Sequence, residues 1–360
     1  MSPLQAGGPF RDGPSRQAKM DYATALPWGQ NEGGPDVQGL IDFHHHARPS
    51  AFFDALAKSG RTTMGGRPFP PAWTEAKALD LMDRMGITAA VISAPDADLL
   101  YRDRYIALPL SRLLNEMFAE TIRSLPRRFG AFASLPMPHV EDSIREAEFA
   151  LDQLQLDGVM LSTSYDGRYL GSATFDNLFT ELDRRNATVF VHPVSPMGLK
   201  LLALDFPASL LEYSFDTTRC IANLLHHRAP KRFPNIRFIF AHAGGAMPYL
   251  LSRMSLMEHF LTPGHHFAAE PDREAIRRGL QCFYYDTALS ATDPVFDLLR
   301  QVVGIDRLVF GSDYPQVPDD FVKATADAVR ASKTMKNDER CRVACATGLT
   351  LVPRLAEVSG

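Results

Sequence analysis

Leu40–Pro49 reads LIDFHHHARP, and the ten residues change the character of the chain. Before them, residues 1–39 hold seven Gly and five Pro with no periodicity. Such a segment is expected to be a poorly ordered or partner-wrapping arm rather than part of a core. At Leu40 an apolar run begins and ends in three consecutive histidines. Seven further β-rich runs follow: Ile87–Ala94, Phe129–Leu135, Leu156–Ser162, Thr188–His192, Arg237–His242, Cys282–Thr287 and Leu308–Asp313. Most are nearly continuous apolar runs, the pattern of strands covered on both faces by helices. Amphipathic helical patterns fill the gaps, at 74–85, 105–125, 141–154, 175–185, 217–233, 247–260, 294–303 and 321–332. Thr74, Asp216 and Asp293 with Pro294 behind it are the expected helix starts.

Eight β-then-α units within 360 residues point to an α/β protein of the (β/α)8, or TIM, barrel type. A doubly wound open sheet is the alternative, but no Gly-rich fingerprint follows the first strand. The expected organisation is the arm 1–39 followed by one barrel over 40–360. Residues 47–73, ending in GGRPFPPAW, form a Pro/Gly-rich insertion between the first strand and its helix, placed to overhang the barrel mouth as a lid.

Composition narrows the function. Hydrophobic residues make up 45% of the chain, which excludes a disordered protein. A net charge of −4 and the lack of any basic-aromatic cluster argue against a nucleic-acid partner. No run of 18 apolar residues predicts a membrane helix, and the N-terminus lacks the apolar stretch of a signal peptide. The four cysteines (Cys220, Cys282, Cys341, Cys345) form no C-x-x-C pair and read as thiols of a cytoplasmic protein.

The histidines carry the chemistry. Barrel active sites form at the C-terminal ends of strands. The first strand ends in His44-His45-His46, the fifth in His192, the sixth in His242 and the eighth in Asp313. On a strand His44 and His46 point to one side and His45 to the other. Two imidazoles on one face, a third from another strand and a carboxylate match the ligand set of Zn²⁺ or a similar ion. Each feature alone is weak, since a histidine at a strand end is commonly structural. Four independent strand ends carrying such groups make the conjunction informative. The other seven histidines fall on helices, in polar loops or, for His45, between strand and helix layer.

The motifs I-D-x-H-x-H-x-x-P (Ile41–Pro49), F-V-H-P (Phe190–Pro193), A-H-A-G-G-x-x-P (Ala241–Pro248) and F-G-S-D-Y-P (Phe310–Pro315) resemble the amidohydrolase superfamily. More narrowly they resemble its aminocarboxymuconate-semialdehyde decarboxylase branch, which includes γ-resorcylate, 5-carboxyvanillate and 6-methylsalicylate decarboxylases. The resemblance runs from Leu40 to Leu355. The stretches AWTEAKALDLMDRMGI, RFGAFASLPMP and LDGVMLSTSYDGRYLG are similar to the 6-methylsalicylate type.

The resemblance implies that His44, His46, His192 and Asp313 hold one divalent metal, Zn²⁺ first and Mn²⁺ second. It implies that His242 is catalytic, with Asp313 delivering a proton. It also implies that Arg253 reaches a neighbouring subunit's site in a homodimer or dimer of dimers. Arg67 in the lid is the candidate for the substrate carboxylate. Phe43, Trp73, Phe215 and Tyr314 are candidate walls for a ring. The implied reaction is non-oxidative decarboxylation of a small aromatic, salicylate-like, or dienoic carboxylic acid. The alternative is hydrolysis of a lactone, amide or C–C bond, or hydration, at the same site. Two departures stand out. The fourth strand has no lysine, which favours a single metal, and Thr347-Gly348 stands where relatives often carry Asn-Ala, which bears on local packing.

Overall fold

The computed structural model describes residues 39–58, 60, 63–64, 67–69, 71–95, 103–201, 204–261 and 274–357. The expected arm, apart from Gly39, lies outside the described residues, as do His265 and His266. The apolar runs form eight barrel strands: β1 Leu40–His46, β2 Ile87–Ser93, β3 Phe129–Ser134, β4 Gly158–Ser162, β5 Thr188–His192, β6 Arg237–Phe240, β7 Tyr284–Asp286 and β8 Leu308–Val309. Neighbours in sequence are neighbours in space, and the pairs are parallel. The ring closes where Phe43 N–H donates to the Phe310 carbonyl (2.9 Å) and His46 N–H to the Tyr314 carbonyl (2.7 Å). The expected (β/α)8 barrel is the fold found.

The principal helices are α1 Ser50–Lys58, α2 Glu75–Met85, α3 Arg104–Ser124, α4 Val140–Glu148, α5 Asp176–Arg184, α6 Ala208–His226, α7 Leu251–Leu261, α8 Ala275–Leu280, α9 Asp293–Val302 and α10 Asp319–Ala331. In α2 the buried face is Ala78, Leu81, Met82 and Met85, the period read from the sequence, and Thr74 caps it by accepting from Lys77 N–H. Two expected starts differ. The helix placed at 217 begins at Ala208, and Asp216 lies buried inside it. Its carboxylate accepts from Thr163, from Tyr169 Oη (2.6 Å) and from Val194 N–H (3.2 Å). Three donors from other elements, rather than its own helix end, hold that carboxylate. At α9 the cap is Thr292, and Asp293 accepts from Ser332 Oγ at 2.5 Å. The 47–73 insertion contains α1 and a two-strand hairpin pairing Thr63–Met64 with Arg67–Pro68.

Two apolar layers result. One lies between strands and helices. The other fills the barrel floor with Ile41, Phe43, Val91, Phe132, Phe190 and Ile239, closed by Leu351, Val352 and Leu355 of the C-terminal segment. Thr188 donates to the Leu351 carbonyl (3.1 Å), and Arg354 pairs with Asp157 (2.9 Å), pinning that plug. Gly348 explains the departure noted above: a Cβ there would lie 2.4 Å from Phe43 Cε2. With the floor filled by apolar side chains, the polar residues gather at the strands' C-terminal ends.

Candidate active site

Barrel closure brings the strand ends together. Asp313 N–H donates to the His44 carbonyl (2.8 Å), so the turn after β8 lies against β1. His44 and His46 share a side, as their spacing predicts. One ligand-competent atom from each of His44, His46, His192 and Asp313 falls within 4.8 Å of the others. The Nε2 atoms of His44 and His46 are 3.1 Å apart. Two nitrogens each about 2.1 Å from a tetrahedral ion lie about 3.4 Å from one another, so this spacing fits a shared cation. Asp313 Oδ1 lies 2.9 Å from His46 Nε2 and 3.2 Å from His44 Nε2. Asp313 (φ 63°) and His242 (φ 56°) both adopt left-handed backbone, a strain that clusters at functional sites.

The outer imidazole nitrogens decide which ones face inward. His44 Nδ1 lies 2.6 Å from Asp286 Oδ2, and His192 Nδ1 lies 2.8 Å from the Pro193 carbonyl. With those nitrogens donating, each Nε2 is the atom left to face an ion. Burial tends to lower the His44 pKa, but Asp286 and then Asp313 override it and push it up to about 10. Burial lowers His46 to about 3. Burial, then the charges of His46 and His44, hold His192 well below its ordinary value. Burial opposes ionisation of Asp313, but His44 and the imidazole hydrogen bonds hold it well below the carboxylate range. Before an ion binds, His46 and His192 are therefore neutral and Asp313 is charged, while His44 is protonated and would release its Nε2 proton on binding a divalent ion.

His242 follows β6 on a tight turn and is buried, its Nε2 3.9 Å from Asp313 Oδ2 and without a hydrogen-bond partner. That distance admits a bridging water or a substrate atom. His45 faces the other way. Its Nδ1 lies 3.3 Å from Asp42 Oδ2, and its Nε2 accepts from Trp73 Nε1 (3.1 Å). Asp42 also accepts from His44 N–H (3.0 Å), Ser312 N–H (2.9 Å) and Ser312 Oγ (2.5 Å), tying β1 to the turn that carries Asp313.

The structure thus gathers His44, His46, His192, His242 and Asp313. Trp73 sits against His45 rather than the candidate ligands, and Tyr314 packs on His45 with the rings tilted at 52° and centroids 4.9 Å apart. Phe43 belongs to the floor. Phe215 is part-exposed on α6 and Arg253 exposed on α7. Arg67 lies in the hairpin, its side chain outside the described residues. Sequence reading missed Asp286 and Asp42. The signal for Asp286 was the one used elsewhere, a carboxylate at a strand end, in Tyr284–Asp286.

A (β/α)8 barrel with three imidazoles and a carboxylate converging at its mouth defines a class of divalent-metal enzyme scaffolds. A family model described as Amidohydrolase matches residues 41–345, and the chain belongs to that family. The 6-methylsalicylic acid decarboxylase acuB of Aspergillus aculeatus is 31% identical over 328 residues, 89% of this chain and 98% of that one. The 6-methylsalicylic acid decarboxylase of Penicillium expansum is 32% identical over 88% of this chain and 96% of its own. Among solved structures, the dihydroxybenzoic acid decarboxylase of Polaromonas sp., with bound manganese and 2-nitroresorcinol, shares the fold. Its TM-score is 0.73 at 20% identity, covering 88% of this chain and 97% of that one. No helix among the described residues is long and apolar enough to cross a membrane.

Proposed function

We propose that the protein is a metal-dependent, non-oxidative decarboxylase of a salicylate-like aromatic acid. The observation that carries this reading is the convergence of His44, His46, His192 and Asp313, with His242 3.9 Å from the carboxylate. The two decarboxylases at 31% and 32% identity narrow the substrate class to 6-methylsalicylate-type acids. His44, His46, His192 and Asp313 hold the ion. Held by these four residues, a divalent cation would supply Lewis acidity toward the substrate carboxylate and the developing negative charge. Three imidazoles and one carboxylate favour Zn²⁺.

The chain's own groups handle the proton. As the bond from ring carbon to carboxylate breaks, its electron pair stays on the ring carbon and CO₂ leaves. Asp313, ionised at rest, takes up a proton from solvent and passes it to that carbon, while His242 holds the proton of the neighbouring hydroxyl. Arg67 and Arg253 bind the anion, as planar guanidinium groups suit. Phe215 flanks the ring, and Trp73 braces β1 from behind through His45. Leu210, Leu211, Tyr249 and Leu256 are exposed apolar residues on the same segments as Phe215 and Arg253, which supports a homodimer. Four free cysteines support a cytoplasmic setting.

The test is CO₂ release from 6-methylsalicylate by metal-loaded protein, beside lactone hydrolysis as the competing activity. His242→Ala is expected to lower decarboxylation 10²-fold or more, at about the size of a general acid–base contribution. Lactone opening without CO₂ release would overturn the reading. Elemental analysis that finds Mn²⁺ in place of Zn²⁺ would overturn the choice of ion.

A further inference from the structure

We infer that Asp286 is a positioning residue for this centre: it fixes the ring and tautomer of His44 from outside and holds the backbone of His242. The inference rests on the reading that His44 is a metal ligand. Asp286 ends β7 and has no solvent exposure. Its two oxygens divide the work. Oδ2 lies 2.6 Å from His44 Nδ1, while Oδ1 accepts from His242 N–H (2.8 Å) and Ala288 N–H (3.0 Å). The Oδ1 bonds close a strand-end turn, and a structural cap needs no more than these. The Oδ2 bond is a separate feature. A carboxylate at that distance requires the proton on Nδ1, which leaves the Nε2 lone pair facing His46 and Asp313.

The neighbouring strand makes room for this pair. A Cβ on Gly311 would lie 2.9 Å from His44 Cβ and 3.0 Å from Asp286 Cβ. The chain after β8 thus passes the His44–Asp286 pair at a residue without a side chain, and any larger residue pushes the two apart. The other ligands are held differently. His192 Nδ1 meets a backbone carbonyl, and His46 Nδ1 has no hydrogen-bond partner. Among the described residues, Asp286 is the one carboxylate bonded to the outer nitrogen of a ligand imidazole. Such outer partners orient the ring and raise its basicity as a ligand. Asp286 also accepts from His242, whose left-handed φ depends on a fixed turn. One carboxylate therefore couples the candidate ligand to the candidate acid–base residue.

The experiment measures Zn²⁺ affinity by chelator competition for wild type, Asp286→Asn, Gly311→Ala, His44→Ala and His192→Ala, with apo-protein melting as the fold control. An Asn has one acceptor oxygen and cannot serve both His44 and the two backbone N–H groups. Asp286→Asn and Gly311→Ala are each expected to weaken binding about 10- to 100-fold, the usual loss for an outer partner. His44→Ala and His192→Ala should weaken it further. Binding by Asp286→Asn within twofold of wild type, while the two His variants lose metal, overturns the inference and leaves the metal site standing. Wild-type affinity in both His variants overturns the metal-site reading itself. A check read on the wild-type site itself is ¹⁵N NMR of histidine-labelled, Zn²⁺-loaded protein. The His44 signal, assigned by its absence from His44→Gln, is expected to show a protonated Nδ1; an unprotonated Nδ1 overturns the inference.

Discussion

Gly348 shows how far from the chemistry a single residue can act. Phe43 lies between Asp42 and His44 in sequence, and its ring packs with Phe132 (6.3 Å between centroids) above the C-terminal plug. Gly348 faces that ring with no room for a methyl group. Overpacking a filled core costs about 1–3 kcal/mol. Gly348→Ala is therefore expected to destabilise the fold by about that amount in urea unfolding, with the denaturant slope unchanged. An unchanged midpoint would show that Phe43 can move aside. At this scale the sequence was legible where local geometry suffices. His44 and His46 follow from strand alternation, and His45 from the same rule inverted. Asp286 showed only as a carboxylate at a strand end; its pairing with His44 was not legible, because that contact spans 242 residues and forms only when the ring closes. The Thr347-Gly348 departure pointed only to local packing, and the Phe43 ring shows which packing is meant.

Among elements, the strands were easier to read than the helix starts. A strand buried on both faces must be apolar throughout, and that signal survives without tertiary information. A helix cap is a local hydrogen bond for which many residues compete. Asp216 looked like a cap yet takes donors from three other elements, so the start of α6 was placed nine residues too late. Charge links between helices raise a prediction of their own. Asp142, near the start of α4, accepts from Arg104 of α3 and from Arg145. The hydrogen bond from Arg104, then that from Arg145, outweigh desolvation and hold its carboxyl at about 2. A depressed carboxyl pKa adds stability above the unfolded-state value, and this is lost as pH falls through the folded value. The two guanidinium groups are about half exposed, so the full shift is discounted for solvent screening. Asp142→Asn is expected to lose about 1 kcal/mol at pH 7. The difference should fade between about pH 4 and pH 2. Unfolding curves at pH 7 and at acid pH check this. An equal gap at both would assign the loss to packing.

On the scale of the whole molecule, the barrel separates stability from chemistry. Its floor is closed by Leu351, Val352 and Leu355, and its mouth carries the candidate ligands. That division leaves the exposed apolar residues Leu210, Leu211, Tyr249 and Leu256 without a task in a single chain. The proposed dimer gives them one and gives Arg253 a site to complete in the partner. Hybrid dimers test whether Arg253 acts across the interface. Arg253→Ala and His242→Ala homodimers should both be poor enzymes, because each lacks one component at both sites. Mixed and allowed to exchange, they form hybrids in which one site combines an intact His242 with the other protomer's intact Arg253. The second site of that hybrid lacks both. With random exchange of equal amounts, half the dimers are hybrids, so about a quarter of wild-type activity should return. Were Arg253 to serve its own chain's site, or none, mixing would restore nothing. Size-exclusion chromatography with light scattering on Leu210→Asp/Tyr249→Asp completes the test. That protein is expected to run as a monomer and, mixed with His242→Ala, to show no recovery despite its intact His242 and Arg253.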